Sequence, residues 1–260
     1  MPDLEERLEK AAEILASSNY AVALTGAGVS VESGIAPFRG PGGLWTRYGE
    51  PPMDGYQRFL RDPKGWWMRR MKPDERMRER LATLLSAKPN PGHYALVELE
   101  AMGVLKCLIT QNIDNLHRRA GSRRLVEIHG NVTLLRCVSC QRRRSREGFE
   151  VIGVPPRCPD CGGIVKSDTV MFGEPIPTDV LERCWLEVGR CDCMLVVGTS
   201  AKVYPAASFP VRVKRAGGTL IEVNLYESKL TPVCDVVLRG SSGEVLPLIL
   251  ERVKARVQKG

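Results

Sequence analysis

The sequence predicts an α/β protein built on an open parallel sheet with helices on both faces, interrupted by a metal-binding module. Two patterns predict the sheet. Short runs such as AVALT at 21–25 and CMLVV at 193–197 carry almost no polar residue, as strands covered on both faces do. Amphipathic stretches lie between them, so strand and helix alternate along most of the chain. The module is predicted by CVSC at 137–140 and CPDC at 158–161, which break that alternation.

Taken in order, residues 4–15 repeat apolar positions at helical spacing, and YAVALTGAG at 20–28 changes to a continuous strand ending in glycines. From 38 to about 91, Pro and Gly are frequent and three Trp occur; the stretch reads as an irregular insertion outside the sheet. HYALVELEAMG at 93–103 predicts a helix, VLKCLIT at 104–110 a strand and RLVEIHG at 124–130 a shorter strand. After the cysteine block, TVMFG at 169–173 predicts the next strand. A helix at 178–188, a strand at 192–198, a helix at 205–217, strands at 219–224 and 235–240, and a last helix at 243–257 complete the series. There is no internal repeat.

The totals narrow the function. A chain of 260 residues suits one large core plus a smaller module. Its net charge of +8 is spread along the sequence apart from QRRRSR at 141–146 and MRRMK at 68–72, which reads as solvated surface. No aromatics interleave with those arginines, so sequence-specific nucleic-acid binding is not expected. No apolar stretch is long enough to cross a membrane, and the charged N-terminal helix is unlike a signal peptide; the expected location is cytoplasmic. Nine cysteines then argue for metal and buried thiols rather than disulfides.

Two C-x2-C pairs 17 residues apart suit a tetrahedral Zn2+ held by Cys137, Cys140, Cys158 and Cys161. Four thiolates leave no open coordination position, so the metal is structural, and Arg136, Arg142, Arg143, Arg144 and Arg146 lie near in sequence to offset the negative charge. A second signal is LTGAGVSVESGIAPFRG at 24–40. Gly26 and Gly28 directly after the first strand let backbone approach a pyrophosphate, and Ser30, Ser33, Phe38 and Arg39 crowd the same connection. The dehydrogenase fingerprint fails, because position 31 is Val and no acidic strand end follows some 20 residues later.

The third signal is a series of polar strand ends: Gly26, the TQNIDNLH cluster at 110–117, His129, Gly198–Thr199–Ser200, and Asn224. Together they predict a ligand groove along the carboxyl edge of the sheet. His129 is the natural general base near neutral pH. His93, just after Pro91, reads as a packing or capping residue. Asp114 or Asn115 at the start of a short helix is an alternative account of the polar cluster, and His117 fits either packing or the site.

The ordered set GAGVSVESGIAPFRG, TQNIDNLH, IHGN, the paired C-x2-C, VMFGE, GTSAKVYPA and VN resembles the sirtuins, NAD-dependent protein-lysine deacylases, in their prokaryotic form. That resemblance implies a Rossmann-like domain from 1–37, 89–135 and 166–260, a helical cofactor-loop insertion at 38–88 and a zinc module at 136–165. It implies NAD phosphates at Gly26, Ala27, Gly28, Thr199 and Ser200, the adenosine ribose at Asn224 and the adenine near Ser242. Asn112, Asp114 and the Ile113 backbone would clasp nicotinamide and its ribose, with Gln111 against that ribose. An acyl-lysine peptide would add as a strand between 170–174 (Val170, Phe172, Gly173, Glu174) and 201–206 (Val203). In the family's reaction, the acyl oxygen attacks ribose C1′ as nicotinamide departs. A histidine, here His129, draws a proton from the ribose hydroxyls, and lysine and O-acyl-ADP-ribose leave.

This chain departs from the family at three places. Ala36 and Pro37 stand where many members have Pro-Asp, and VKSDT at 165–169 replaces the commoner Leu-Arg-Pro-Asp. The Tyr-x-x-Arg of members that remove acidic acyl groups is missing, so neutral acyl groups are expected, although Arg69 or Arg70 offers a cation in another register. The rival readings are a mono-ADP-ribosyltransferase and a non-catalytic NAD or ADP-ribose binding module with a zinc-stabilised surface.

Overall fold

In the computed structural model, which describes residues 3–258, the strands separate into two sheets. Residues 1–2 and 259–260 of the expected large domain lie outside the described residues. The chain enters through helix α1 (Leu4–Ser17), whose Leu8, Ala11, Ala12 and Leu15 face inward. The large sheet then takes β1 (Ala21–Thr25), β2 (Leu105–Thr110) and β3 (Leu125–Glu127). Strands β4 (Leu134–Cys137), β5 (Arg143–Ser145) and β6 (Val165–Ser167) form the small sheet, and β7 (Cys193–Val197), β8 (Thr219–Asn224) and β9 (Val236–Arg239) return to the large one.

The large sheet is parallel throughout, in the order β3-β2-β1-β7-β8-β9, the doubly wound order in which the topology reverses beside β1. One core packs α1 and the last helix against one face through Leu108, Leu195, Val223, Leu246 and Ile249. A second packs Leu24, Ile109, Met194, Val196 and Phe209 on the other face. Strands covered on both sides are apolar at most positions, as these are; β8 departs from it with fully buried Glu222, which Ser228, Thr231 and Arg239 satisfy.

The stretch expected to be irregular holds four helices: α2 (Leu44–Tyr48), α3 (Gly55–Arg61), α4 (Pro63–Met71) and α5 (Glu75–Ser86). They bury only Phe59 and Trp67; Met77, Leu81, Leu84 and Leu85 of α5 recur at helical spacing, but the Pro and Gly around the other three helices dominated the reading. Helix α6 (Pro91–Ala101) follows, opened by Asn90 and His93 in a reciprocal cap. The remaining helices are α7 (Leu116–Ala120), α8 (Thr178–Arg190), α9 (Ser208–Arg215) and α10 (Ser242–Val257).

The small sheet is antiparallel, β5-β4-β6, and runs from Leu134 to Ser167, slightly beyond the expected 136–165. Trp67 of α4 packs into it against Leu135, Cys137, Cys158 and Val165 and donates its indole N–H to the Val165 carbonyl at 2.7 Å. The strand expected at 169–173 is absent; the segment is a turn. Its apolar residues are held by Val170 N–H on the His129 carbonyl (2.9 Å) and Met171 N–H on the Glu174 carboxylate (2.9 Å), not by a ladder.

Candidate active site

Register places the polar tips. Thr25 aligns with Thr110 and Val197, Thr110 with Glu127, and Val197 with Val223, so Gly26, Gln111, Ile128, Gly198 and Asn224 each lie one position beyond a paired residue. The ladder continues into this layer through Gly26 N–H to Val197 O, Gln111 N–H to Thr25 O and Gly198 N–H to Val223 O, at 2.9–3.0 Å.

Gly26 and Gly28 are packed against the loop after β7. A Cβ on Gly26 would lie 2.8 Å from the Thr199 Cβ, and one on Gly28 2.6 Å from the Gly198 Cα. The Gly28 N–H already donates to the Gly198 carbonyl at 2.8 Å. These glycines therefore bring two loops together as well as offering open backbone, and Gly198 reaches this approach with φ of +59°.

Beneath them, buried Asn112 donates to the Gly26 carbonyl and to Ser30 Oγ, both at 3.1 Å, and Ser30 Oγ donates to Asp114 at 2.7 Å. The other Asp114 oxygen accepts Leu116 N–H at 2.9 Å at the start of α7, so the capping account of this residue and its place in the cluster both hold. Burial pushes the Asp114 carboxyl above its ordinary range, opposed by these hydrogen bonds. Gln111 donates to Thr199 Oγ1 at 2.9 Å, and Asn224 donates to the Thr199 carbonyl at 3.0 Å, joining the edge across β2, β7 and β8. Ile113 is fixed through its carbonyl, which accepts Val132 N–H at 2.9 Å.

His129 lies on the same edge, half-buried, with Nδ1 3.1 Å from the Gln111 carbonyl. A carbonyl only accepts, so this bond puts the ring proton on Nδ1 and leaves the Nε2 lone pair free. Burial lowers the ring's pKa below the ordinary histidine value, partly countered by that carbonyl. His117 and His93 belong to packing: both are buried, their rings 4.7 Å apart, with His117 Nε2 2.9 Å from Thr25 Oγ1.

Phe38 and Arg39 stand at the start of the insertion. Phe38 packs on Trp45 (4.9 Å), Trp45 on Phe172 (5.6 Å), and Arg39 stacks over Trp45 while pairing with Glu50 at 2.9 Å. Phe172 and Gly173 accept from Tyr56 N–H and Gln57 Nε2, tying the 170–174 turn to α3. The Glu174 side chain is buried between Arg136 (2.7 Å) and Lys166 (3.1 Å), facing inward rather than along a peptide groove. Val203, half-buried, precedes the cis Tyr204–Pro205 bond. Ser200 is half-buried after Thr199. Ala27 opens the 3-10 turn after β1, and Ser242 at the head of α10 donates to Val29 O and Glu32.

The four Sγ atoms of Cys137, Cys140, Cys158 and Cys161 lie within 4.8 Å of one another, with closest pairs at 3.5 and 3.8 Å. A tetrahedron of thiolates at Zn–S of about 2.3 Å requires sulfurs about 3.8 Å apart, so the set fits that ion. The nearby arginines do not simply face the thiolates. Arg142 and Arg144 pair with Asp160, Arg143 with Asp168 and Asp179, and Arg136 with Asp168 and Glu174. These carboxylates account for all of the run but Arg146, for which no carboxylate partner is found among the described residues. Sequence reasoning missed Arg136, Lys166 and Asp168 as a group; nothing in their local sequence pattern marked them as buried.

A doubly wound sheet whose carboxyl edge carries a buried Asn-Ser-Asp cluster and a histidine, beside a four-cysteine module, defines a dinucleotide-using enzyme with a structural metal site. The Sir2 family model matches residues 26–205. The chain belongs to the Sir2 family. It is 49% identical to the NAD-dependent protein deacylase of Thermococcus kodakarensis over 253 residues, 95% of this chain and 96% of that one. It superposes on a Sir2 homolog–NAD complex with a TM-score of 0.80 at 45% identity, covering 96% of this chain and 94% of the other. Sir2Af2 bound to a myristoylated histone peptide gives 0.71 at 39% identity, over 98% and 100% of the two chains. Among the described residues, no helix is long and apolar enough to cross a membrane.

Proposed function

We propose that this protein is an NAD-dependent protein-lysine deacylase acting chiefly on acetyl-lysine. The observation that carries this reading is His129, its Nδ1 on the Gln111 carbonyl, on the same sheet edge as the Asn112–Ser30–Asp114 cluster. NAD supplies an electrophilic ribose carbon once nicotinamide leaves. Asn112, Asp114 and Ile113 form the nicotinamide and ribose pocket, where excluding water favours cleavage. Gly26, Ala27, Gly28, Ser30, Gly198, Thr199 and Ser200 hold the phosphates, Phe38 and Arg39 close over them, and Asn224 and Ser242 take the adenosine end. His129 Nε2 removes the ribose hydroxyl proton. The acyl peptide lies between Val170–Gly173 and Val203. Neutral acyl groups suit the site, because Arg70 is stacked on Trp66 at 3.8 Å and Arg69 leans toward Asp62.

The domain division follows from the same reading, with 38–88 and 136–165 as insertions in the nucleotide-binding domain. A cytoplasmic location is supported by nine cysteines that include a four-thiolate metal cluster, which suits a reducing compartment. The test is incubation with NAD and an acetyl-lysine peptide, following nicotinamide and peptide mass together. Deacylation releases nicotinamide and removes the acyl mass, and His129→Ala abolishes the change in peptide mass. Added mass on a protein with an intact acyl-lysine would mean ADP-ribosyl transfer instead, and no turnover by the zinc-loaded protein would reduce it to a binder.

A further inference from the structure

Four charged side chains are buried together at the joint between the cysteine module and the 170–174 turn. Arg136, Lys166, Asp168 and Glu174 have side chains only 1–4% exposed, two cations against two anions. Buried charges persist only when paired and hydrogen-bonded, and here each has a partner, with the partly exposed Arg143 also on Asp168 at 3.0 Å. Arg136 lies 3.1 Å from Asp168 and donates to Glu174 at 2.7 Å. Lys166 Nζ donates to the carbonyls of Ser167 (2.7 Å) and Thr169 (2.9 Å) and meets Glu174 at 3.1 Å. An ammonium has three donors, and all three are engaged, tying both ends of residues 167–174 to one point.

The same cluster touches the strand end that carries the candidate base. Asp168 accepts Asn131 N–H at 3.0 Å, and a Cβ on Gly130 would collide with the Asp168 carbonyl. Val170 N–H donates to the carbonyl of His129 itself at 2.9 Å. Displacing the turn would therefore stretch several charge-assisted bonds at once and shift residues 170–173 relative to His129.

We propose that Lys166 and Glu174, through Arg136 and Asp168, are positioning residues that set the acyl-peptide segment Val170–Gly173 at a fixed height against His129. The inference rests on the reading of that segment as the peptide site. It gives a function to the place where this chain has Lys-Ser instead of the commoner Arg-Pro: Lys166 supplies the tie, and its charge, not its shape alone, is required.

The experiment uses the full-length, zinc-loaded protein with NAD and an acetyl-lysine peptide. Lys166→Met is expected to raise the peptide KM by about tenfold or more, with kcat and the KM for NAD within about twofold of the parent and one zinc retained. Lys166→Arg, which restores the charge, is expected to return the peptide KM to within about threefold. Glu174→Gln gives the same pattern as Lys166→Met and replaces it if that variant does not fold. A parental peptide KM in Lys166→Met or Glu174→Gln, or a parallel loss of NAD and peptide affinity, overturns the proposal. Val203→Asp separates the two levels. If it raises the peptide KM while the cluster variants do not, only the positioning role fails; if it leaves the peptide KM unchanged, the groove assignment fails with it.

Discussion

Replacing Gly28 by Ala should unfold the ligand-free protein more readily, not merely weaken nucleotide binding. The added Cβ would meet the Gly198 Cα at 2.6 Å, its carbonyl oxygen at 2.8 Å and its carbonyl carbon at 3.0 Å, all backbone atoms with no rotamer to yield. Overpacking of this kind costs about 1–3 kcal/mol, and parting the loops weakens the Gly28–Gly198 hydrogen bond, worth about 1 kcal/mol. Ala reduces the freedom of the unfolded chain, returning about 0.4–1 kcal/mol. The net is about 2–3 kcal/mol, which for a domain of this size lowers Tm by roughly 4–12 °C. Circular dichroism melts without NAD read it directly. Gly189→Ala is the control: it lies within α8 with nothing within 4 Å of its added Cβ, so it should hold or raise Tm. If Gly28→Ala melts within about 2 °C of the parent yet loses NAD affinity, the packing argument is wrong and the glycine serves the ligand alone.

Three further outcomes are expected. Metal analysis should find one zinc per chain. Chelation should lower Tm and redden the tryptophan fluorescence, because Trp67 packs on Cys137 and Cys158; an unchanged melt would remove the structural role of the cluster. The acid limb of kcat/KM should fall below pH 6.5, since burial favours the neutral His129 ring and the base stays competent as pH drops; a limb above that value contradicts the assignment. His93 is pushed down to about 4 by burial, so between about pH 6.5 and 4 the unfolded chain binds the extra proton and stability falls as pH falls, by about 3 kcal/mol for this group. His117 adds in the same direction. Urea midpoints against pH should therefore decline across that window and flatten in His93→Gln, and a parental slope in that variant would refute the coupling.

How much was legible follows from what each residue type can do. The cysteine pairs announced their geometry because four thiolates at that spacing have few other uses, and the apolar strands announced themselves because both faces are covered. The strand ends were legible for a related reason: polar residues that follow an apolar run, such as Gln111, Thr199 and Asn224, suit the sheet edge better than the core. The insertion was legible as helical only through the family resemblance; from the residues alone its Pro and Gly read as irregular, although Met77, Leu81, Leu84 and Leu85 of α5 carry a helical period, because α2 to α4 are short and bury only Phe59 and Trp67. TVMFG misled in the opposite sense, since its apolar residues suit a strand while its backbone is committed to His129 and Glu174. Lys166 was the hardest: lysine is a surface residue by default, and only the partners brought by β4 and the following turn make its burial tolerable.

The arrangement of the edge bears on how the site works. Asn112, Ser30, Asp114, Gln111, Thr199 and Asn224 hydrogen-bond to one another or to neighbouring backbone, which holds their dipoles in set directions. On the proposed reading, groups held in this way need not reorganise as charge develops on the ribose, and this is where such sites gain most over water. The same logic explains why burial matters at Asp114 and His129 in opposite senses. It makes ionisation of the carboxyl costly, so that the Ser30 and Leu116 donors must support it, and it keeps the imidazole neutral and ready to accept a proton.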